Sequence, residues 1–230
     1  MPPTTYTISD MHVGDVRQSA RTFQHLLDTL RGLAKAFGPN DTLVLAGDVI
    51  DRTPAFKFND RHRIFFKALQ QFHTVIWLGG NHDWDWLGLE DSLATHIKWR
   101  QGYNFVSGGK KVHISHGHEE DFNATYFPWF DRVGGWFVRW CYRTFKINFH
   151  KWFSPKKFKF GKMEQKLMDR YQGADIVITG HTHFPGKHVE TVAMNKRLYL
   201  NTGDWLDPGH CSLVKVSWGK AELFRIPSPR

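Results

Sequence analysis

Thr42-Leu43-Val44-Leu45-Ala46, followed at once by Gly47-Asp48-Val49-Ile50-Asp51-Arg52, is an apolar run that stops on a glycine and two carboxylates. A five-residue run with four apolar residues, bounded by a turn signal, reads as a buried strand. The same arrangement recurs four more times. Strands are expected over Thr5–Ser9, Thr74–Leu78, Lys111–Ser115 and Asp175–Thr179. They end on Asp10-Met11-His12, Gly80-Asn81-His82-Asp83, His116-Gly117-His118 and Gly180-His181-Thr182-His183. Between the first two strands, Phe23, Leu26, Leu27, Leu30, Leu33, Ala34 and Phe37 recur at helical spacing within 18–37. A second helix is expected over about 59–72. Four further strands are expected over 188–193, 197–201, 211–216 and 221–225. Strand and helix in alternation, then strands alone, predict an α/β core completed by antiparallel strands.

The chain has 230 residues, of which 41% are hydrophobic. That is enough for one domain, 1–230, with a sizeable core, and it excludes a disordered chain or a disulfide-stapled miniprotein. No run reaches the roughly 18 apolar residues of a membrane-spanning helix. Polar threonines near the start argue against a signal peptide, and two cysteines without metal-type spacing suit a reduced compartment, so a cytoplasmic chain is expected. Lys plus Arg exceed Asp plus Glu by 31 − 22 = 9, which predicts an anionic partner.

Potential metal ligands at the carboxyl ends of strands stand where α/β sheets carry their sites. Asp10, His12, Asp48, Asn81, His116, His181 and His183 offer two carboxylates, one amide oxygen and four imidazoles, with no thiolate. That mixture suits Mn²⁺, Fe²⁺, Co²⁺, Ni²⁺ or Zn²⁺ rather than calcium or a structural zinc cage. Seven ligands are too many for one ion and suit two that share a carboxylate. The glycines before Asp48, Asn81 and His181 are expected to allow tight turns that bring backbone close to bound ions.

The ordered series from Asp10 to His183 resembles the calcineurin-like metallophosphoesterase superfamily. The resemblance implies a two-sheet sandwich flanked by helices. It places Asp10, His12, Asp48 and His183 around one metal, Mn²⁺ by preference, and Asp48, Asn81, His116 and His181 around a second, with Asp48 bridging. His82 is then the candidate proton donor to the leaving oxygen. Asp51, Arg52 and Asp83 are expected to orient ligands and loops. His118 is a candidate accessory ligand or substrate contact. Within the superfamily, Ser9–Gly14, Gly180–Pro185 and Leu200–Trp205 are most similar to UDP-2,3-diacylglucosamine diphosphatases of lipid A synthesis. Those enzymes typically carry Arg where His82 stands and Asp where His118 stands.

One segment breaks the rhythm. Residues 122–160 hold 15 aromatics, and residues 131–171 hold 11 Lys or Arg against three acids. Together they define an aromatic, basic helical insertion, or lid, over 119–172. Trp129, Trp136 and Trp140, interleaved with Arg132, Arg139 and Arg143, suit an anionic membrane surface and an acyl chain. Lys162 and Lys166, one helical turn apart, are candidate substrate-phosphate contacts. A lid packed on the core and a surface for single-stranded nucleic acid are the competing readings. The expected function is hydrolysis of a lipid-linked nucleotide by a chain peripheral to the inner face of the cytoplasmic membrane. The alternatives are a phosphodiesterase acting on a soluble nucleotide or nucleic acid, and a non-catalytic scaffold of the same fold.

Overall fold

Alternation along each strand divides its side chains between two cores. In the computed structural model β1 (Thr5–Ile8), β2 (Thr42–Ala46), β3 (Val75–Leu78) and β4 (Ile97–Arg100) run parallel, and antiparallel β10 (Ser212–Ser217) and β11 (Lys220–Arg225) extend that sheet beyond β1. A second sheet runs in the order β5 (Tyr103–Ser107), β6 (Lys110–Ile114), β7 (Ile176–Thr179), β9 (Asn195–Asn201) and β8 (Gly186–Val192). The structure describes residues 2–50, 58–83, 96–121, 144, 158–192 and 195–227.

Val44, Ala46, Ile76 and Leu78 point from the first sheet toward Ile114, Ile176 and Ile178 of the second, which makes the core between the sheets. The alternate residues Leu43, Leu45, Val75 and Trp77 face the other way, onto α1 (Ala20–Ala36) and α2 (Asp60–Leu69). Both helices begin on polar caps. Ser19 Oγ accepts from Thr22 N, and Asn59 accepts from Arg61 N. On the outer face of the second sheet, Leu167 and Met168 of α3 (Lys162–Arg170) pack against Val177 and Tyr199. The result is the expected sandwich flanked by helices. Among the described residues no helix is long and apolar enough to cross a membrane.

Two strands were not expected, β4 and β5. They meet at Gln101-Gly102, where the chain crosses from one sheet to the other. Both alternate half-buried with exposed residues, Ile97 and Trp99 against Lys98 and Arg100, then Tyr103 and Phe105 against Asn104 and Val106. Such mixed runs carry a weaker signal than the apolar central strands.

His113 on β6 donates from Nδ1 to Asn104 Oδ1 (2.7 Å) and stacks on Tyr171. Burial pushes its imidazole down to about 4 from the ordinary 6.5. The unfolded chain therefore takes up a proton that the folded chain refuses between those values. Stability falls as pH drops through this window and is fully present above it. Relative to a His113→Gln variant, the natural chain should lose on the order of 2 kcal/mol between about pH 7 and about pH 4. Urea unfolding of both proteins across that range checks this.

Candidate metal centre

Five loops at the carboxyl ends of β1, β2, β3, β6 and β7 converge at one end of the sandwich. The first two are zipped together by backbone bonds: Asp10 N to Gly47 O, His12 N to Asp48 O and Val13 N to Val49 O (3.0, 2.9 and 2.8 Å). Asp10, His12 and His183 form one cluster of facing ligand atoms, and Asp48, His116 and His181 form another. Asp48 Oδ2 lies 3.8 Å from His12 Nε2 and 3.3 Å from His116 Nε2, so one carboxylate oxygen faces both clusters. Asn81 Oδ1 completes the second, 3.1 Å from His116 Nε2.

The local backbone is strained to achieve this. Asp10, His12, Asp48, His181 and His183 all have φ between 43° and 65°. Left-handed dihedrals cost non-glycine residues on the order of 1–3 kcal/mol each and persist where surrounding contacts over-determine them. Gly80 and Gly180 serve a purpose other than the expected turn. Neither has a left-handed φ, but a Cβ on Gly80 would overlap Asp48 Oδ1, and one on Gly180 would overlap Asp10 Oδ2. These glycines let the two carboxylates lie directly against neighbouring backbone.

Whether divalent cations fit can be judged from the ligand atoms themselves. Asp10 Oδ2 accepts from Ser9 Oγ and from His181 N (2.5 and 2.9 Å), whereas Oδ1 is buried, makes no hydrogen bond and faces His183 Nε2 at 3.3 Å. His12 is buried with neither ring nitrogen hydrogen-bonded, and burial holds its imidazole well below 6.5, hence neutral. A buried polar atom without a partner costs about 1–3 kcal/mol, and a cation recovers that cost. At the second cluster burial opposes charge on His116, yet the Asp48 and Asp10 carboxylates overcome it and push the imidazole up to about 10. The carboxylates thus demand positive charge at this point. A divalent ion held there would meet that demand in place of the proton.

Several neighbours fix the ligands in place. His116 Nδ1 donates to Ala46 O (2.9 Å), leaving Nε2 for the centre. His181 Nε2 meets Asp121 Oδ2 at 2.8 Å, which fixes the ring beside the cluster. Asp204, fully buried after β9, lies 3.3 Å from His183 Nδ1 and 3.1 Å from His210 Nδ1. Burial opposes its ionisation, but hydrogen bonds from His183 and His210 hold its carboxyl well below the carboxylate range. Neither Asp121 nor Asp204 was among the candidates read from sequence. The signal for Asp204 was its place in Leu200-Asn201-Thr202-Gly203-Asp204-Trp205, at the end of one more strand. Asp204→Asn should weaken metal binding about 10–100-fold. Titrating the metal-free protein with Mn²⁺ against the natural chain measures it.

Asp83 accepts from Val49 N, Ile50 N, Trp77 Nε1 and Gly80 N, and so ties the β2 loop to the β3 loop. Burial, reinforced by the Asp48 charge, nevertheless pushes its carboxyl up to about 7. His82 stands at the rim. Its backbone N donates to Asp48 Oδ1 at 2.8 Å, and its Nε2 lies 3.9 Å from Asp48 Oδ2. The ring of His118 lies 5.4 Å from that of His116, and burial pushes it down to about 4. Lys162 and Lys166 are exposed on α3. Asp51, Arg52 and residues 122–143 and 145–157 of the insertion lie outside the described residues.

A family model for the calcineurin-like phosphoesterases matches residues 4–185, which covers all seven candidate ligands. The chain belongs to this family. Among solved structures, the phosphoesterase is similar to a novel archaeal phosphodiesterase at 13% identity and a TM-score of 0.50, over 97% of this chain and 99% of that one. It is also similar to vacuolar protein sorting 29 from Cryptosporidium parvum (14% identity, TM-score 0.48, 97% and 96% covered). A third is Yfce, a phosphoesterase from E. coli (14%, 0.41, 93% and 88%). At these identities the likeness concerns the fold. No curated protein sequence matches the chain significantly.

Proposed function

We propose that this phosphoesterase uses two divalent ions to hydrolyse a phosphoester or pyrophosphate bond. We propose further that its substrate is a lipid-linked nucleotide of the UDP-2,3-diacylglucosamine type, split into UMP and a lipid phosphate. The observation that carries the chemistry is Asp48 Oδ2, which faces His12 on one side and His116 on the other. When bound, two divalent ions supply positive charge over the phosphoryl oxygens and a water acidic enough to act as nucleophile near neutral pH. Asp10, His12, Asp48 and His183 would hold one ion, and Asp48, Asn81, His116 and His181 the other. His82, partly exposed at the rim beside Asp48, is placed to give a proton to the departing oxygen. His118 borders the same opening from the β6 side and is the candidate substrate contact.

The lipid half of the reading is supported by composition. The aromatic and basic insertion interrupts the chain between the β6 and β7 ligands, so a surface that takes up acyl chains and anionic headgroups would adjoin the centre. In that arrangement the chain works peripherally on the inner face of the cytoplasmic membrane. The test is hydrolysis by metal-free protein reloaded with Mn²⁺, offered UDP-2,3-diacylglucosamine beside a soluble aryl phosphodiester. Fast UMP release with slow diester cleavage is expected. Diester cleavage without UMP would keep the two-ion chemistry and overturn the substrate.

A further inference from the structure

Of six non-glycine residues with positive φ among the described residues, five are ligand candidates and the sixth is Trp218. It begins the two-residue turn Trp218-Gly219 between β10 and β11, where both residues have positive φ (53° and 73°). Such turns favour Asn-Gly, and a bulky ring in this conformation is a genuine outlier. Trp218 is also 70% exposed, so burial does not explain it. The conformation is held from outside: Gly219 N donates to Ser107 Oγ (3.1 Å), and a Cβ on Gly108 would overlap the Trp218 backbone. A strained backbone, held in place by its neighbours and presenting a large ring to solvent, points to a ligand.

The surroundings indicate which ligand. Trp218 lines a cleft of about 420 Å³ with Lys215, Ser217, Lys220 and Glu222. Lys220 and Glu222 also line an adjoining cleft of about 340 Å³ with Lys110, Lys187 and Lys196. Both volumes fall within the roughly 300–1,000 Å³ of small-molecule sites. Among the described residues Lys187, Lys196 and Lys220 form no ion pair, whereas Lys110 is partnered by Asp175 (3.3 Å). One exposed ring provides one stacking platform, uncompensated ammonium groups suit phosphate, and a carboxylate beside the ring can accept from a sugar hydroxyl. Because β10 runs antiparallel to β1, this turn lies at the end of the sandwich opposite the metal centre.

We infer that Trp218 and the adjoining lysine clefts form a second anion site that binds a nucleoside phosphate, with the base on the indole and the phosphate over Lys187, Lys196 and Lys220. The site stands independently of the substrate assigned to the metal centre.

Calorimetric titration of the metal-loaded protein with AMP, adenosine and inorganic phosphate tests it. AMP should bind more tightly than either part alone, and Trp218→Asn should weaken AMP binding about tenfold. The paired Lys196→Glu and Lys220→Glu change should weaken it at least as much, while both variants keep full turnover of an aryl phosphodiester. Trp218→Asn should melt no lower than the natural chain, since asparagine suits the turn. The inference is overturned if AMP binds the Trp218→Asn protein as it binds the natural one, or if phosphate alone matches AMP. Melting of that variant well below the natural chain would make Trp218 a packing residue and also overturn it. So would Trp218-dependent capture of anionic phosphatidylglycerol vesicles in place of AMP.

Discussion

Asp48→Asn should lower turnover of an aryl phosphodiester by about a thousandfold or more and strip metal from both clusters together. The size follows from position. Asp48 Oδ2 faces both clusters, and Oδ1 is committed to the His82 backbone N–H. An amide removes the negative charge that two cations share, and its NH₂ group clashes electrostatically with whichever donor it meets. Burial of Asp48 aggravates this, because a cation facing a neutral amide in a water-poor site has little else to compensate it. Metal content per chain, measured by mass spectrometry beside kcat, is the decisive pair of readings. Two equivalents of metal with kcat reduced less than about tenfold would sink the shared-ligand assignment.

His82→Ala should show a different signature. The backbone bond from residue 82 to Asp48 survives the substitution, and the imidazole is at the rim, so metal content should stay at two equivalents. Loss of a general acid costs about 10²–10⁴ in rate where the leaving oxygen needs a proton. An alkyl or sugar-phosphate leaving group should therefore suffer the full loss, while p-nitrophenolate, stable as an anion, should leave at nearly the natural rate. Equal losses for both leaving groups would remove the acid role and reduce His82 to a phosphate contact.

The fold was legible where a strand is buried on both faces. Leu43, Val44, Leu45 and Ala46 are fully buried, and so is Leu78, and their runs stand out against polar flanks. The ligand series was legible for a related reason: each motif is local, three to six residues after such a run. What could not be read lies in relations across the chain. Asp204 reaches His183 over 21 positions and Asp121 reaches His181 over 60, and although Asp204 ends a further strand run, nothing local marks which histidine either one meets. The part Gly80 plays is hidden in the same way, since its need for hydrogen in place of Cβ arises from Asp48, in the loop after a different strand. β4 and β5 were passed over because half-exposed edge strands look like ordinary polar chain. Lys162 and Lys166 do lie on one helix, but its helical spacing carried no information on its distance from the ligands.

The pairing of β1 with β10 has a bearing on biosynthesis. Thr5 pairs with Val216, 211 positions later, and Trp205 N closes onto Asp10 O. A nascent chain leaving the ribosome can pair its first strand with β2 early, but the other edge of that strand stays open until nearly the whole sequence has emerged. Contacts this distant make folding slow and leave intermediates prone to aggregation. Truncations before β10 should be recovered chiefly as insoluble protein, and the ions should enter only after release of the finished chain.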